Sequence, residues 1–393
     1  MTGRAGAGPA RAVAGSVIAG ACLLAAGCGS TPAGSPGAAA AAAPPPLQAS
    51  YASAAGTSWA IVEMGGSAAQ ENNFWELFAR PAGSSAWREA TPLGVADNGG
   101  LVVAGAGTSL LTGFVPSQSL TFSPLAASTD NGANWSSSGL VDPGLAGLPD
   151  ALAAGPGGRL IALTKGGKVE LGQGLGTGWT SLSSARALAA APAGRACGLA
   201  GLAAVAFSGS GVPMLAGDCG RPGVAGIFAD SGGTWRAAGP VSPALPAALA
   251  REDIGVVRLA TTGAGLVALL RAGTGADTSL VAAWSATGGS PWTVSAPLRI
   301  GTRQLRSTTV GPGWAVGVTL SDGRGATLTG PGATAWRTLP VLPKWAATLA
   351  LGSSGQVDAI AAHGGTFTDW RLAGSGWNQA QTIKVTIPYG SSG

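Results

Sequence analysis

Three arginines stand close together in Arg299-Ile300-Gly301-Thr302-Arg303-Gln304-Leu305-Arg306, the densest run of charge in the chain. A guanidinium offers planar, paired donors, so such a cluster suits a carboxylate, a phosphate or an acidic sugar. The plainer reading is solvated arginines on a turn, or arginines paired with nearby acids such as Glu252 and Asp253. Arg221, Arg324, Glu71, Glu252 and the single histidine, His363, are further residues whose chemistry suits ligand contact. One histidine excludes His-cluster zinc sites and the usual His-based triads. Gly-rich strings such as Gly263-Ala264-Gly265 do not form the strand–loop–helix cradle that holds phosphate. The sequence therefore assigns no catalytic residue, no metal ligand and no cofactor.

What must position these residues is legible from composition and spacing. The chain has 393 residues, with 67 Gly and 26 Pro, 10% charged residues and a formal net charge of +5. Gly and Pro at this level approach low-complexity chains. Disordered chains, however, are highly charged and poor in aromatics, whereas this one carries 13 Trp. Its basic residues are dispersed rather than clustered in a Lys/Arg block, which excludes nucleic acid as a partner. Low charge and the absence of long helix-period runs leave a turn-rich all-β body.

A repeat runs through that body. Each unit holds a Gly/Ser-rich turn followed by Trp, at Trp87, Trp135, Trp179, Trp235, Trp292, Trp336 and Trp377, spaced 41 to 57 residues apart. Short strands at such a period are the signature of β-propeller blades, and seven units are expected, with six or eight the alternatives should an end unit differ, each a four-stranded antiparallel sheet. In the sixth unit the strands are read as Gln304–Val310, Trp314–Leu320, Gly325–Thr329 and a fourth from Trp336. The seventh is read as Trp345–Leu351, Gln356–Ala362, Phe367–Leu372 and Trp377–Ile387. The propeller is expected over residues 47–390.

The N-terminus carries an address. Arg4 and Arg11 precede an apolar stretch from Ala12 to Ala26, shorter than the ~20 residues a membrane span needs and suited to the core of a secretory signal. It ends in Leu24-Ala25-Ala26-Gly27-Cys28, which resembles the lipobox of bacterial lipoproteins, departing from it at Ala25, where that family most often has Leu. The resemblance implies a signal peptide over 1–27, acylation of Cys28, and anchoring by membrane lipid on the outer face of the cytoplasmic membrane. Residues 28–46, rich in Ala, Gly and Pro, are then a flexible tether. With Cys28 acylated, Cys197 and Cys219 are an even pair in an oxidising compartment, where a disulfide is expected and two buried free thiols are the alternative.

Two of the Trp turns carry more. Ser128-Thr129-Asp130-Asn131-Gly132-Ala133-Asn134-Trp135 resembles the Asp-box (BNR repeat) of sialidase-like propellers, and Asp230-Ser231-Gly232-Gly233-Thr234-Trp235 matches it without the leading Ser. The resemblance implies that Asp130, Gly132, Trp135, Asp230, Gly232 and Trp235 are structural, with the Asp carboxylate bonding the turn's own backbone N–H groups. The opposite face, where the fourth strand of one blade links to the first of the next, is where ligands are expected. Glu71, Arg221, Glu252, Arg299, Arg303, Arg306, Arg324 and His363 fall there, as do Cys197 and Cys219, read as lying on adjacent antiparallel strands. Sialidases use a Tyr nucleophile, and the two tyrosines here, Tyr51 and Tyr389, lie at the ends of the body. The expectation is a monomeric, non-catalytic, anchored propeller that binds a protein or cell-wall glycan. The alternative is a divergent glycoside hydrolase or lyase, which requires two carboxylates facing across a pocket.

Overall fold

A computed structural model describes residues 47–52, 57–64, 74–92, 101–106, 109–114, 125–137, 145, 147, 149–175, 177–241, 244–333, 335–352 and 355–385. The lipobox with Cys28, the tether and Glu71 lie outside them. The first unit comprises β1 (Leu47–Ala52), β2 (Thr57–Met64), β3 (Phe74–Arg80) and β4 (Arg88–Glu89). The second has β5 (Leu101–Ala106), β6 (Ser109–Phe114), β7 (Leu125–Ser128) and β8 (Ser136–Ser137). The third has β9 (Pro149–Ala154), β10 (Leu160–Thr164), β11 (Lys168–Gly172) and β12 (Trp179–Ser184). Two short helices follow, α1 (Ala185–Ala190) and α2 (Pro192–Cys197).

The fourth unit holds β13 (Leu199–Phe207), β14 (Pro213–Cys219), β15 (Gly226–Asp230) and β16 (Trp235–Ala237). The fifth holds β17 (Ile254–Thr262), β18 (Gly265–Ala272), β19 (Ser279–Ser285) and β20 (Thr293–Val294), with β21 (Leu298–Arg299) added beside β19. The sixth is β22 (Leu305–Val310), β23 (Val316–Leu320), β24 (Gly325–Leu328) and β25 (Arg337–Thr338). The seventh is β26 (Ala346–Leu351), β27 (Val357–His363), β28 (Thr366–Ala373) and β29 (Gly376–Lys384).

Within every unit the strands pair antiparallel in chain order. Each unit also shares a buried apolar layer with the next. Ile61 and Leu77 meet Val103; Leu125 meets Ala162; Leu163 meets Phe207; Ile227 meets Val256; Trp284 meets Val318; Ala315 of the sixth unit meets Leu349. The last unit then packs on the first, through Phe78 and Phe367, whose rings stack 4.1 Å apart. Burying each Val, Leu, Ile or Phe among them is worth roughly 1.5–3 kcal/mol. This is a β-propeller, in which inner strands covered on both faces read as continuous apolar runs; β10 (LIALT) is buried throughout.

The repeated tryptophans explain the period. Each packs in the layer toward the preceding unit, and three share one hydrogen bond. The indole N–H groups of Trp292, Trp336 and Trp377 donate to the carbonyls of Ala238, Ala296 and Val341, just past the preceding unit's outer strand, at 2.6, 3.0 and 3.1 Å. A large ring fills the gap between outer strands while its polar edge finds a backbone acceptor. Close approach elsewhere requires the absence of a side chain: a Cβ at Gly113 would lie 2.4 Å from the Pro149 ring of the next unit.

Two features depart from the sequence reading. The first and sixth units are not separate sheets, because β1 and β22 pair in parallel, from Leu47 opposite Ser307 to Ser50 opposite Val310. Innermost strands of a propeller all run the same way, so two that touch must pair in parallel. Cys197, read as strand, instead ends α2, whose chain exits through Gly198 at φ 68°.

Candidate functional site

The links between outer and inner strands, and the turns between second and third strands, emerge at one end of the propeller. In the sixth unit this end gathers a charged group. Asp322, on the β23–β24 turn, accepts Arg303 Nε at 2.9 Å and Arg324 Nε at 3.4 Å. The turn builds itself: Arg324 N–H donates to Asp322 Oδ1 at 3.1 Å, and Gln304 N–H to the Ser321 hydroxyl at 3.2 Å. The partner of Arg303 is therefore Asp322, not Glu252 or Asp253. Asp322 is also the nearer acid in sequence, and the β22–β23 hairpin brings it back beside Arg303. Arg324 keeps 61% of its side chain exposed. Arg299 and Arg306 are exposed and enter no ion pair among the described residues.

The next link, from β25 to β26, lies against this turn, with Leu342 N–H donating to the Gly323 carbonyl at 3.0 Å. It carries Val341, 78% exposed, and Trp345, 47% exposed. His363, the last residue of β27, lays its ring on the Trp345 indole at 4.0 Å with 1° between planes, and Lys344 Nζ lies 4.8 Å from the same indole. His363 is thus brought to the same end as Arg303 and Arg324, with an aromatic partner read in the sequence only as the start of a strand. Two further tryptophans are withdrawn from the surface: Trp59 is buried, and Trp370 packs half-buried in the layer between sixth and seventh units.

Arg221 and Glu252 lie apart from this cluster. Arg221 is exposed, its N–H donating to the Cys197 carbonyl at 2.9 Å, while the Glu252 backbone carbonyl accepts from Gly223. Cys197 and Cys219 form a disulfide with Cα atoms 5.2 Å apart, both residues buried.

At the opposite end the two Asp turns close on themselves. Asp130 Oδ1 accepts the Asn134 N–H and the Ser128 hydroxyl, both at 2.8 Å, and Ser128 Oγ accepts the Gly132 N–H at 2.7 Å. The bonds from Asn134 and Ser128 hold the Asp130 carboxyl well below the usual range, so its charge is committed to the turn. Gly132, at φ 81°, admits no Cβ, which would meet Ala90 at 2.9 Å. Asp230 makes the reduced version, accepting the Gly233 N–H at 2.8 Å. Two shallow hollows lie at this end: about 250 Å³ beside Gly313 and Pro331, and about 280 Å³ beside Ser208, Asp230, Arg236 and Thr287. Among the described residues, no three His, Cys, Asp or Glu side chains converge as metal ligands would.

A second charged group is hidden. Asp358 on β27 and Asp369 on β28 are both fully buried, facing the first unit. Arg80 of β3 ion-pairs with Asp358, Arg371 approaches it at 3.4 Å, and Gln356 Nε2 donates to both its oxygens at 2.8 and 2.6 Å. The Asp369 carboxyl faces the Trp87 indole N–H, whose weak donation favours the charged form. Burial, and then repulsion from Asp358, raise its pKa to about 7 against the attraction of Arg80 and Arg371. Beside them, Gln381 exchanges two hydrogen bonds with the Trp87 backbone, at 2.7 and 2.8 Å. Sequence reading missed both acids; the available signal was a carboxylate within an apolar strand run, VDAIAA and TFTDW. Arg258 was missed likewise: buried on β17, it donates to the Thr308 carbonyl on β22 at 2.7 Å and lies 5.8 Å from the Trp59 ring.

No family model matches the chain, and no curated protein is similar to it. Solved structures resemble it at low identity. YCF48 bound to D1 peptide is 15% identical over 88% of this chain and 94% of that one, with a TM-score of 0.42. The GH74 xyloglucanase from Xanthomonas campestris is 15% identical over 83% of this chain and 52% of that one, at 0.48. The six-bladed fungal lectin from Aleuria aurantia is 12% identical over 88% and 96%, at 0.38.

Proposed function

We propose that the chain is a non-catalytic binding module: a monomeric seven-bladed propeller, lipid-anchored through Cys28 outside the cytoplasmic membrane, that holds a protein or cell-wall glycan partner. The observation that carries this reading is the end of the sixth and seventh units, where Arg303, Arg324, Lys344, Trp345 and His363 stand together at the surface. Exposed aromatic and arginine side chains in one patch are the composition of binding hot spots. The Asp-box reading of Asp130 and Asp230 assigns those acids to their turns. The acid pair Asp358 and Asp369 is sealed between units, where no sugar reaches it, which sets the glycosidase alternative behind the binding one.

The test is capture from native membranes followed by mass spectrometry, comparing wild type with an Arg303→Ala, Arg324→Ala double variant. A specific partner held by wild type and lost from the variant is expected; an identical set from both overturns the assignment to this end. Anchoring is checked separately: the mature protein should begin at Cys28 and partition into detergent.

A further inference from the structure

The link from β25 to β26 holds a bulky residue in a costly conformation at the surface. Trp345 has φ 68°, a left-handed backbone that is costly for any residue other than glycine. The chain has a direct internal contrast. Trp314 is also left-handed, at φ 71°, but its ring packs on the layer between the fifth and sixth units, and its carbonyl accepts the Trp284 indole N–H. For Trp314 the strain is offset by burial. For Trp345, 47% exposed, it is not.

The surroundings say what the exposed ring would meet. His363 lies flat on the indole and Lys344 stands over it, so no bare aromatic face is offered for the flat side of a pyranose ring. What is presented is the indole edge with Val341 beside it, an apolar strip. Around the strip, among the described residues, the cations Arg303, Arg324 and Lys344 gather about the carboxylate of Asp322. The two Nη groups of Arg324 make no hydrogen bond among the described residues. Paired donors beside an apolar edge match a chain of carboxylates carrying an apolar side chain.

We propose that Val341, Lys344, Trp345 and His363, with Arg303 and Arg324, bind an acidic peptide segment bearing an apolar residue; this rests on the binding role proposed above and names its partner class. The left-handed Trp345 holds the indole edge outward, and the cations steer the acidic chain onto it.

His363 makes the test local, because it is the only histidine and its ring signals are unique in the spectrum. The full chain, labelled at histidine and held in detergent micelles, is titrated with a fluorescent Glu-Glu-Leu-Glu-Glu peptide. Anisotropy gives affinity and the His363 resonances give location. Trp345→Gly is the decisive variant, because glycine accepts the left-handed backbone and removes only the ring. We expect the peptide to shift His363, affinity to fall about tenfold in Trp345→Gly, and about threefold each in Lys344→Gln and Arg324→Gln. Binding should weaken with added salt, and Arg236→Gln, at the opposite end, should bind as wild type. An all-Gln peptide that binds equally, an unmoved His363, or wild-type affinity in Trp345→Gly would each overturn the proposal. So would tighter binding of an oligogalacturonate than of the peptide. If the peptide fails while membrane capture is still lost on changing Arg303 and Arg324, the peptide class falls and the binding role stands.

Discussion

The molecule contains the same three-residue arrangement twice, in opposite surroundings. In the sixth unit Asp322 sits between Arg303 and Arg324, with side chains 32%, 36% and 61% exposed. Between the seventh and first units Asp358 sits between Arg80 and Arg371, with Asp358 fully buried and Arg80 only 8% exposed. In water-facing surroundings an ion pair is screened and contributes about 0–1 kcal/mol. Its arginines therefore remain able to exchange Asp322 for an incoming carboxylate. In the buried case Asp358 and Arg80 have lost their hydration and depend on each other for compensation, while Arg371, 37% exposed, reaches Asp358 from the surface. Identical chemistry thus stays open to solvent in one place and lies in the seam between units in the other, and the difference is set by burial.

The sharpest way to break the comparison is to remove each central carboxylate. Asp358→Ala leaves Arg80 facing a buried site without its counter-charge and should cost about 3–5 kcal/mol, read as a fall in the urea midpoint. The joint replacement Arg80→Met, Asp358→Leu should recover most of that loss, because the cost lies in the orphaned charge rather than in the missing attraction. If the single variant unfolds at the wild-type midpoint, the seam is not held by this pair.

The next effect concerns pH. Asp369, with its pKa raised to about 7 in the fold, binds a proton more tightly folded than unfolded. Its contribution is complete below about pH 4 and is lost as pH rises toward 7. Asp369→Asn should remove that slope and exceed wild type in stability above pH 7 by roughly 2–4 kcal/mol. Parallel stability–pH curves for the two proteins would sink this account. The smallest effect belongs to the exposed group: Asp322→Asn should change stability by less than about 1 kcal/mol. It should also tighten acidic-peptide binding, since it frees two arginines from an internal competitor. A large loss of stability would mean that the two groups are not the contrast described.

Much of this architecture was legible because its signals are local and repeated. A Gly-rich turn followed by Trp recurs once per unit, and the same ring fills the same gap each time, as Trp292, Trp336 and Trp377 show through equivalent indole bonds. The self-bonded turn at Asp130 was legible for the same reason, since its donors and acceptor lie within seven residues of sequence. The helices α1 and α2 had local signals too: Ser184 caps the first, and Pro192 and Gly198 bracket the second. They were passed over because the repeat predicted a plain link there. Asp358, Asp369 and Arg258 gave no comparable sign. Their partners lie in other units, 278 residues away for Arg80 and Asp358, and nothing in a strand's own sequence says which charge faces it across a seam.

The sequence by itself determined the repeating strand pattern and the Trp in each layer, and it made Cys197 and Cys219 candidates for a pair that the structure joins. These follow from side-chain size, turn chemistry and the count of thiols, which neighbours in sequence settle. Only the tertiary structure decided that β1 and β22 pair, that Arg303 answers to Asp322, and that Trp345 stands outside while Trp314 packs inward. Those outcomes depend on which surfaces closure brings together and from which of them water is excluded. Burial is a property of the assembled propeller, and it separates a charge that can recognise a partner from one that holds the fold.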